Sequence, residues 1–117
     1  MTKKTTVLTG VDSNQDQVFL FGPVDEYDEV PVGYYVTAFF EKDTGFCIGC
    51  RISDLFAFVD EVIQSIPRFG VVIHDGKVDL RHIFLARAWL DRDKDVSSKY
   101  AKIYQWFEVG DRYLVEV

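Results

Sequence analysis

Two cysteines separated by two residues are the first feature of this sequence that could perform chemistry. Cys47 and Cys50 are the only thiols, and we predict that they lie between a strand and the amphipathic helix that follows. A helix N-terminus lowers the pKa of a nearby thiol, and a thiol pair so placed can exchange with disulfides. Nothing else in the flanking sequence supports redox chemistry. We therefore interpret the pair as two small, buried or half-buried thiols.

The two histidines could add zinc ligands to this pair. His74 and His82 are separated by seven residues, which exceeds the spacing of zinc-finger histidines. His82 also falls on the apolar face of a strand that we predict over residues 78–91, as described below. We predict no metal and no cofactor. A pocket near Cys47, Cys50, His74 and His82, serving a small-molecule-binding or enzymatic domain, is the alternative hypothesis.

Catalytic motifs provide little else. The sequence contains no Gly-x-Ser-x-Gly turn and no glycine loop of the kind that cradles phosphates. We therefore predict that the protein is not an enzyme.

Length and composition indicate a globular protein. A chain of 117 residues with 48% hydrophobic residues can bury roughly two thirds of its unfolded surface, so residues 1–117 are predicted to form a single globular domain. The formal net charge of −6 argues against direct binding of nucleic acid, because such surfaces place Lys and Arg on phosphates. Apolar runs are too short for a signal peptide or a membrane span of roughly 20 residues. We expect a cytoplasmic protein without a membrane partner.

The negative charge is concentrated in one third of the chain. Between Thr5 and Glu41 there are seven acidic and no basic residues, whereas residues 42–117 carry twelve acidic and eleven basic residues. Clustered charge of one sign steers a partner of opposite sign, and Tyr is a frequent anchor in interfaces. The predicted partner-binding residues are Asp12, Asp16, Asp25, Glu26, Tyr27, Asp28 and Glu29.

Strands and one helix are predicted from hydrophobic periodicity. Residues 17–23 form a short strand, and Val32–Phe40, apolar on both faces, forms a central strand. Residues 53–66 form an amphipathic helix capped by Ser53 and stopped by Pro67. Asp75-Gly76 is typical of a type I′ hairpin turn.

The C-terminal half is ambiguous between strand and helix. Residues 78–91 and 100–109 alternate as strands would, although helices over 79–90 and 96–107 fit the same residues. We favour the strands, with a last strand at 113–117. The predicted fold is α+β, an antiparallel sheet of about five to seven strands with one amphipathic helix (about 53–66) packed on one face.

The sequence-based functional hypothesis is a small acidic protein that binds another protein. An inhibitor or immunity-type protein would use its anionic N-terminal surface to occlude a basic partner, such as a toxin or nuclease that acts on nucleic acid. A structural homo-oligomer is a third possibility, since the sequence does not indicate the oligomeric state.

Overall fold

The computed structural model describes residues 8–11, 16–21, 26–66, 73–109 and 112–117. It contains five strands, one helix, a short strand, two further helices and a last strand. In chain order these are β1 (Leu8–Val11), β2 (Gln17–Leu20), β3 (Tyr27–Pro31), β4 (Val36–Glu41), β5 (Cys47–Ile52), α1 (Leu55–Ser65), β6 (Lys77–Asp79), α2 (Leu80–Leu90), α3 (Val96–Val109) and β7 (Leu114–Glu116). The predicted α+β class is confirmed.

An antiparallel sheet forms the N-terminal half, with strand order β1-β2-β5-β4-β3. Phe19 of β2 lies opposite Cys50 of β5, which lies opposite Ala38 of β4. These three side chains are buried on the face that the helices cover. The Cys-x2-Cys segment therefore follows β4 and precedes α1, as predicted, but it forms the central strand itself.

The predicted strand over Val32–Phe40 starts later than expected. Only Val36 onwards is extended, and β4 then pairs with both β5 and β3. The residues between β3 and β4 form the turn of a hairpin. Val32 N donates to Val36 O at 2.9 Å and closes that turn.

Residues 78–91 are not one long strand. They divide into β6 and α2, with Asp79 as the N-cap whose carboxylate accepts from Arg81 N at 3.1 Å. Ile83 and Phe84 are adjacent and both buried, which a strand with one buried face does not allow. Helical spacing places both on the buried side together with Leu80, so the alternative helix was the right interpretation.

The predicted strand over residues 100–109 is also wrong. The segment belongs to α3, which begins at Val96. Tyr100, Ile103 and Phe107 are buried and follow helical spacing on one side.

Three helices, rather than one, form the second layer. The helix predicted at 53–66 is confirmed as α1, but its N-cap is Asp54 instead of Ser53, with Asp54 Oδ1 accepting from Ala57 N at 3.2 Å. Among the helices, α3 makes the most contacts with β5; α2 packs on α3, and α1 packs on α2. The expectation that the 53–66 helix alone covers the sheet is therefore corrected.

A separate two-stranded ribbon joins β6 to β7. The predicted turn at Asp75-Gly76 precedes it, and both residues have positive φ, 56° and 73°, as a type I′ turn requires. His74 N and Lys77 N each donate to the other residue's carbonyl oxygen. The turn and the last strand are confirmed, whereas the first arm of the predicted hairpin lies largely outside the described residues.

Candidate functional site

The predicted acidic residues are only partly brought together. Glu26 precedes β3, and Tyr27, Asp28 and Glu29 belong to it; all four are exposed. Within the described residues β3 pairs only with β4, so it is an edge strand. Asp16 precedes β2, which β5 and β4 separate from β3. Asp12 and Asp25 lie outside the described residues.

Two of the acidic side chains on β3 are paired within the protein. Asp28 lies 3.8 Å from Lys42, and Glu29 accepts a hydrogen bond from Arg51. Nevertheless, the described residues of the sheet and its connections, up to Ile52, contain six carboxylates and two cationic side chains. The sheet therefore carries a net charge of −4 from these residues.

The sheet face opposite the helices has a small apolar cluster of its own. Phe39 is only 1% exposed although it is not part of the helix-side core. The ring of Tyr27 lies 4.9 Å from it and the Arg51 guanidinium carbon 5.3 Å from its centroid. Tyr27 remains 38% exposed, so the cluster fixes this ring while part of it contacts solvent.

A groove of about 770 Å³ lies between the β4–β5 end of the sheet and α3. One wall is Phe46, which is 70% exposed. Trp106 forms another wall and stacks on Phe21 with ring centroids 5.5 Å apart. The lining residues are Glu41, Phe46, Cys47, Ile48, Lys102, Gln105 and Trp106.

The groove adjoins the acidic end of β3. Tyr27 and Glu41 are register partners across β3 and β4. Lys42 N donates to Glu26 O at 3.3 Å, and Glu41 N donates to Phe46 O at 2.9 Å. These backbone links place β3 beside the groove, while the Tyr27 ring packs on Phe39 on the opposite face of the sheet. We call the region formed by Glu26, Tyr27, Asp28, Glu41 and the groove the acidic–aromatic surface.

Neither Phe46 nor the groove is predicted by the sequence. An aromatic residue directly after Thr44-Gly45 in a polar connection was the available local signal. The other wall comes from α3, more than fifty residues later in the chain. No local sequence pattern indicates that Phe46 and α3 lie on the two sides of one groove.

The two thiols have different positions and little reactivity. Cys47 lines the groove, where its thiol donates to Gly49 O at 3.6 Å, whereas Cys50 is fully buried. Burial raises the pKa of both thiols; the hydrogen bond to Gly49 and the charge of Lys102 only partly offset this for Cys47. Both are protonated at neutral pH, which disfavours thiol–disulfide exchange.

The histidines do not join the cysteines. His74 and His82 line a second cavity of about 260 Å³, formed by the ribbon and the start of α2. Among the described residues, no group of three or more His, Cys, Asp or Glu side chains could hold a metal ion. The single pocket of the alternative hypothesis is thus two separate cavities.

No helix in the described part of the chain is long and apolar enough to cross a membrane. Comparisons with protein-family models, curated proteins and solved structures find no match to this chain.

Proposed function

We propose that this protein binds a basic protein partner through the acidic–aromatic surface and acts by occlusion, as an inhibitor or immunity-type protein. The observation that supports this most strongly is that an exposed acidic edge strand lies beside an apolar groove, because Tyr27 of β3 is the register partner of Glu41, which lines the groove. Carboxylates attract and orient a cationic partner, while the groove accepts an apolar anchor. Interfaces combine a desolvated aromatic centre with a polar rim in this way.

The internal ion pairs do not prevent such binding. Exposed pairs such as Asp28–Lys42 contribute only about 0–1 kcal/mol. A cationic side chain of the partner can therefore replace Lys42 at low cost. The excess of carboxylates over cations in the sheet leaves a net attraction for a basic surface.

The groove specifies the other part of the partner. Phe46 and Trp106 are aromatic residues of the type that dominates binding energy in interfaces. The matching segment is an apolar or aromatic side chain with Lys or Arg on both sides. Proteins that act on nucleic acid carry such cationic surfaces, and covering one blocks its access to phosphates without any chemical step.

A basic peptide tests this proposal. The sequence Lys-Arg-Phe-Arg-Lys is titrated into labelled protein, and amide shifts are followed by NMR at low and high salt. We expect saturable shifts at β3 and at Phe46, with affinity that falls as salt rises. The double variant Glu26→Lys/Asp28→Lys should weaken binding about tenfold or more. The single variant Phe46→Ser should do the same.

The matched control is Asp93→Lys/Asp95→Lys, which makes the same charge change in the exposed connection between α2 and α3. It should bind the peptide nearly as well as the wild type. Equal weakening by both charge reversals would mean that only total charge matters, and this would contradict a defined docking surface.

Small-molecule binding in the groove is a second candidate function. The groove volume of about 770 Å³ lies within the roughly 300–1,000 Å³ of typical ligand sites, which are also mainly apolar. Indole is a suitable neutral probe. This function is favoured if indole binds and the basic peptide does not. Phe46→Ser should then abolish indole binding, whereas salt and Glu26→Lys/Asp28→Lys should leave it unchanged.

A further inference from the structure

Both histidines of the protein face the same cavity, apart from the acidic–aromatic surface. The cavity holds about 260 Å³ and lies where the Asp75–Gly76 turn, the β6–β7 ribbon and the first turn of α2 meet. Its lining residues are His74, Asp75, Lys77, Asp79, His82, Arg112 and Leu114. Two imidazoles, an ammonium and a guanidinium thus converge on one small space.

Asp79 organises this cavity but has no free capacity for a ligand. It is 4% exposed, accepts from Arg81 N, and pairs with Arg81 Nε at 3.1 Å and Arg112 Nε at 3.2 Å. The N-terminus of α2 is therefore already capped by its own chain. Asp79 holds Arg112 through Nε, and within the described residues no hydrogen bond or ion pair occupies the two terminal nitrogens of that guanidinium.

The remaining polar groups also lack acceptors. His82 lines the cavity, although its Nδ1 is shielded from solvent, receives no hydrogen bond from the described residues and therefore lies behind the cavity wall. In the same described part of the chain, no carboxylate lies within ion-pair distance of Lys77. Asp75 is the one other carboxylate that lines the cavity. Donors therefore exceed available acceptors, which is the arrangement that an oxyanion satisfies.

We propose that this cavity binds the phosphate group of a small phosphate monoester. Arg112 would bind two phosphate oxygens through its terminal nitrogens, with Lys77 and the imidazoles of His74 and His82 donating to the others. A water molecule takes about 30 Å³ in the liquid, so the cavity has room for a phosphate and a short organic group. Leu114, which is partly exposed, supplies an apolar wall for that group.

Phosphate binding here is independent of docking at β3, because no residue of this cavity belongs to the five-stranded sheet. Failure of either proposal leaves the other intact.

The histidine side chains provide a direct readout, since both belong to this cavity. Imidazole NMR signals are followed while inorganic phosphate, and separately phenyl phosphate, replaces chloride at constant ionic strength and pH. We expect saturable shifts of both imidazoles with each ligand and tighter binding of phenyl phosphate. Lys77→Gln should weaken phosphate binding about tenfold, and the control Lys99→Gln should leave it unchanged.

Three results would overturn the proposal. The first is that neither ligand shifts the imidazole signals. The second is that the signals drift without saturation and to the same extent in the wild type and in Lys77→Gln. Binding of inorganic phosphate without phenyl phosphate would overturn the assignment to a monoester. A second variant, His82→Gln, keeps the test independent of Lys77: it should weaken phosphate binding while the His74 signal still reports the titration.

Discussion

Arg51 covers Phe39 on the sheet face that no helix protects. The guanidinium carbon lies 5.3 Å from the ring centroid, and the same side chain pairs with Glu29 on the neighbouring edge of the sheet. The guanidinium lies over the ring as a cation–π contact, and the Arg51 side chain is 28% exposed. The face thus buries Phe39 and still presents charge to solvent.

Replacing Arg51 tests how much this cover stabilises the fold. We expect Arg51→Ala to lower the free energy of unfolding by about 1–2 kcal/mol, since it removes packing and a cation–π contact. Arg51→Met keeps an apolar stem and should lose less than half as much. Urea unfolding measures both, and equal losses would show that the charge, rather than the packing, dominates.

Gly49 is required by close packing at the centre of the sheet. A Cβ at this position would lie 2.4 Å from Phe19 O and 3.1 Å from the Phe39 ring. We expect Gly49→Ala to destabilise the protein by about 2 kcal/mol or more. Gly10→Ala is the matched control, because nothing lies within 4 Å of its Cβ position. Its effect should stay within about 0.5 kcal/mol. Similar unfolding midpoints for the two variants would contradict this prediction.

Tyr100 should make stability depend on alkaline pH. Burial raises its pKa from 10.0 to about 12, although Arg87 partly lowers it. Since the folded-state pKa lies above the unfolded one, this stabilisation is complete below pH 10 and is lost between pH 10 and 12. Urea unfolding across that window should show a smaller loss of stability in Tyr100→Phe than in the wild type. Parallel pH profiles for the two proteins would exclude this role.

The two cysteines should react slowly in the folded protein. Burial raises the pKa of both thiols, so we expect alkylation at neutral pH at least about tenfold slower than for a free thiol. Cys47 should react before Cys50. Lys102→Gln should slow Cys47 further, because the Lys102 charge lowers the pKa of that thiol. Mass spectrometry of timed samples measures the order, and labelling of both at the free-thiol rate would refute it.

Local signals in the sequence were sufficient for some elements. The Asp75-Gly76 turn needs two positive φ angles, and α1 shows an uninterrupted helical period before Pro67. Such features depend on neighbouring residues only. They were predicted correctly for that reason.

Strands were favoured over the two C-terminal helices, which stayed an alternative, because the residues satisfy both periods. In α2, Leu80, Phe84 and Ala88 are buried at helical spacing, but the same three also share one face of a strand. Packing against α3 decides between the two, and that contact is not local. Tertiary contacts override such short-range patterns.

The predicted partner-binding residues stay a prediction, and the structure shows only where some of them lie. Exposure of Glu26, Tyr27, Asp28 and Glu29 follows from their polarity, and their shared place at an edge strand agrees with the expected patch. Their pairing with Lys42 and Arg51 depends on strand register. The neighbouring groove depends on the position of α3. Neither the strand register nor the position of α3 can be read from the spacing of residues in the sequence.

Capture by immobilised protein tests whether a basic partner docks at β3. Immobilised wild type, Glu26→Lys/Asp28→Lys and the control Asp93→Lys/Asp95→Lys are each exposed to the same lysate of the source cells, and bound proteins are identified by mass spectrometry. We expect the wild type and the control to retain a basic protein that salt releases. The β3 variant should not retain it. Retention of the same proteins by all three, or capture of no basic protein by the wild type, would contradict docking at β3.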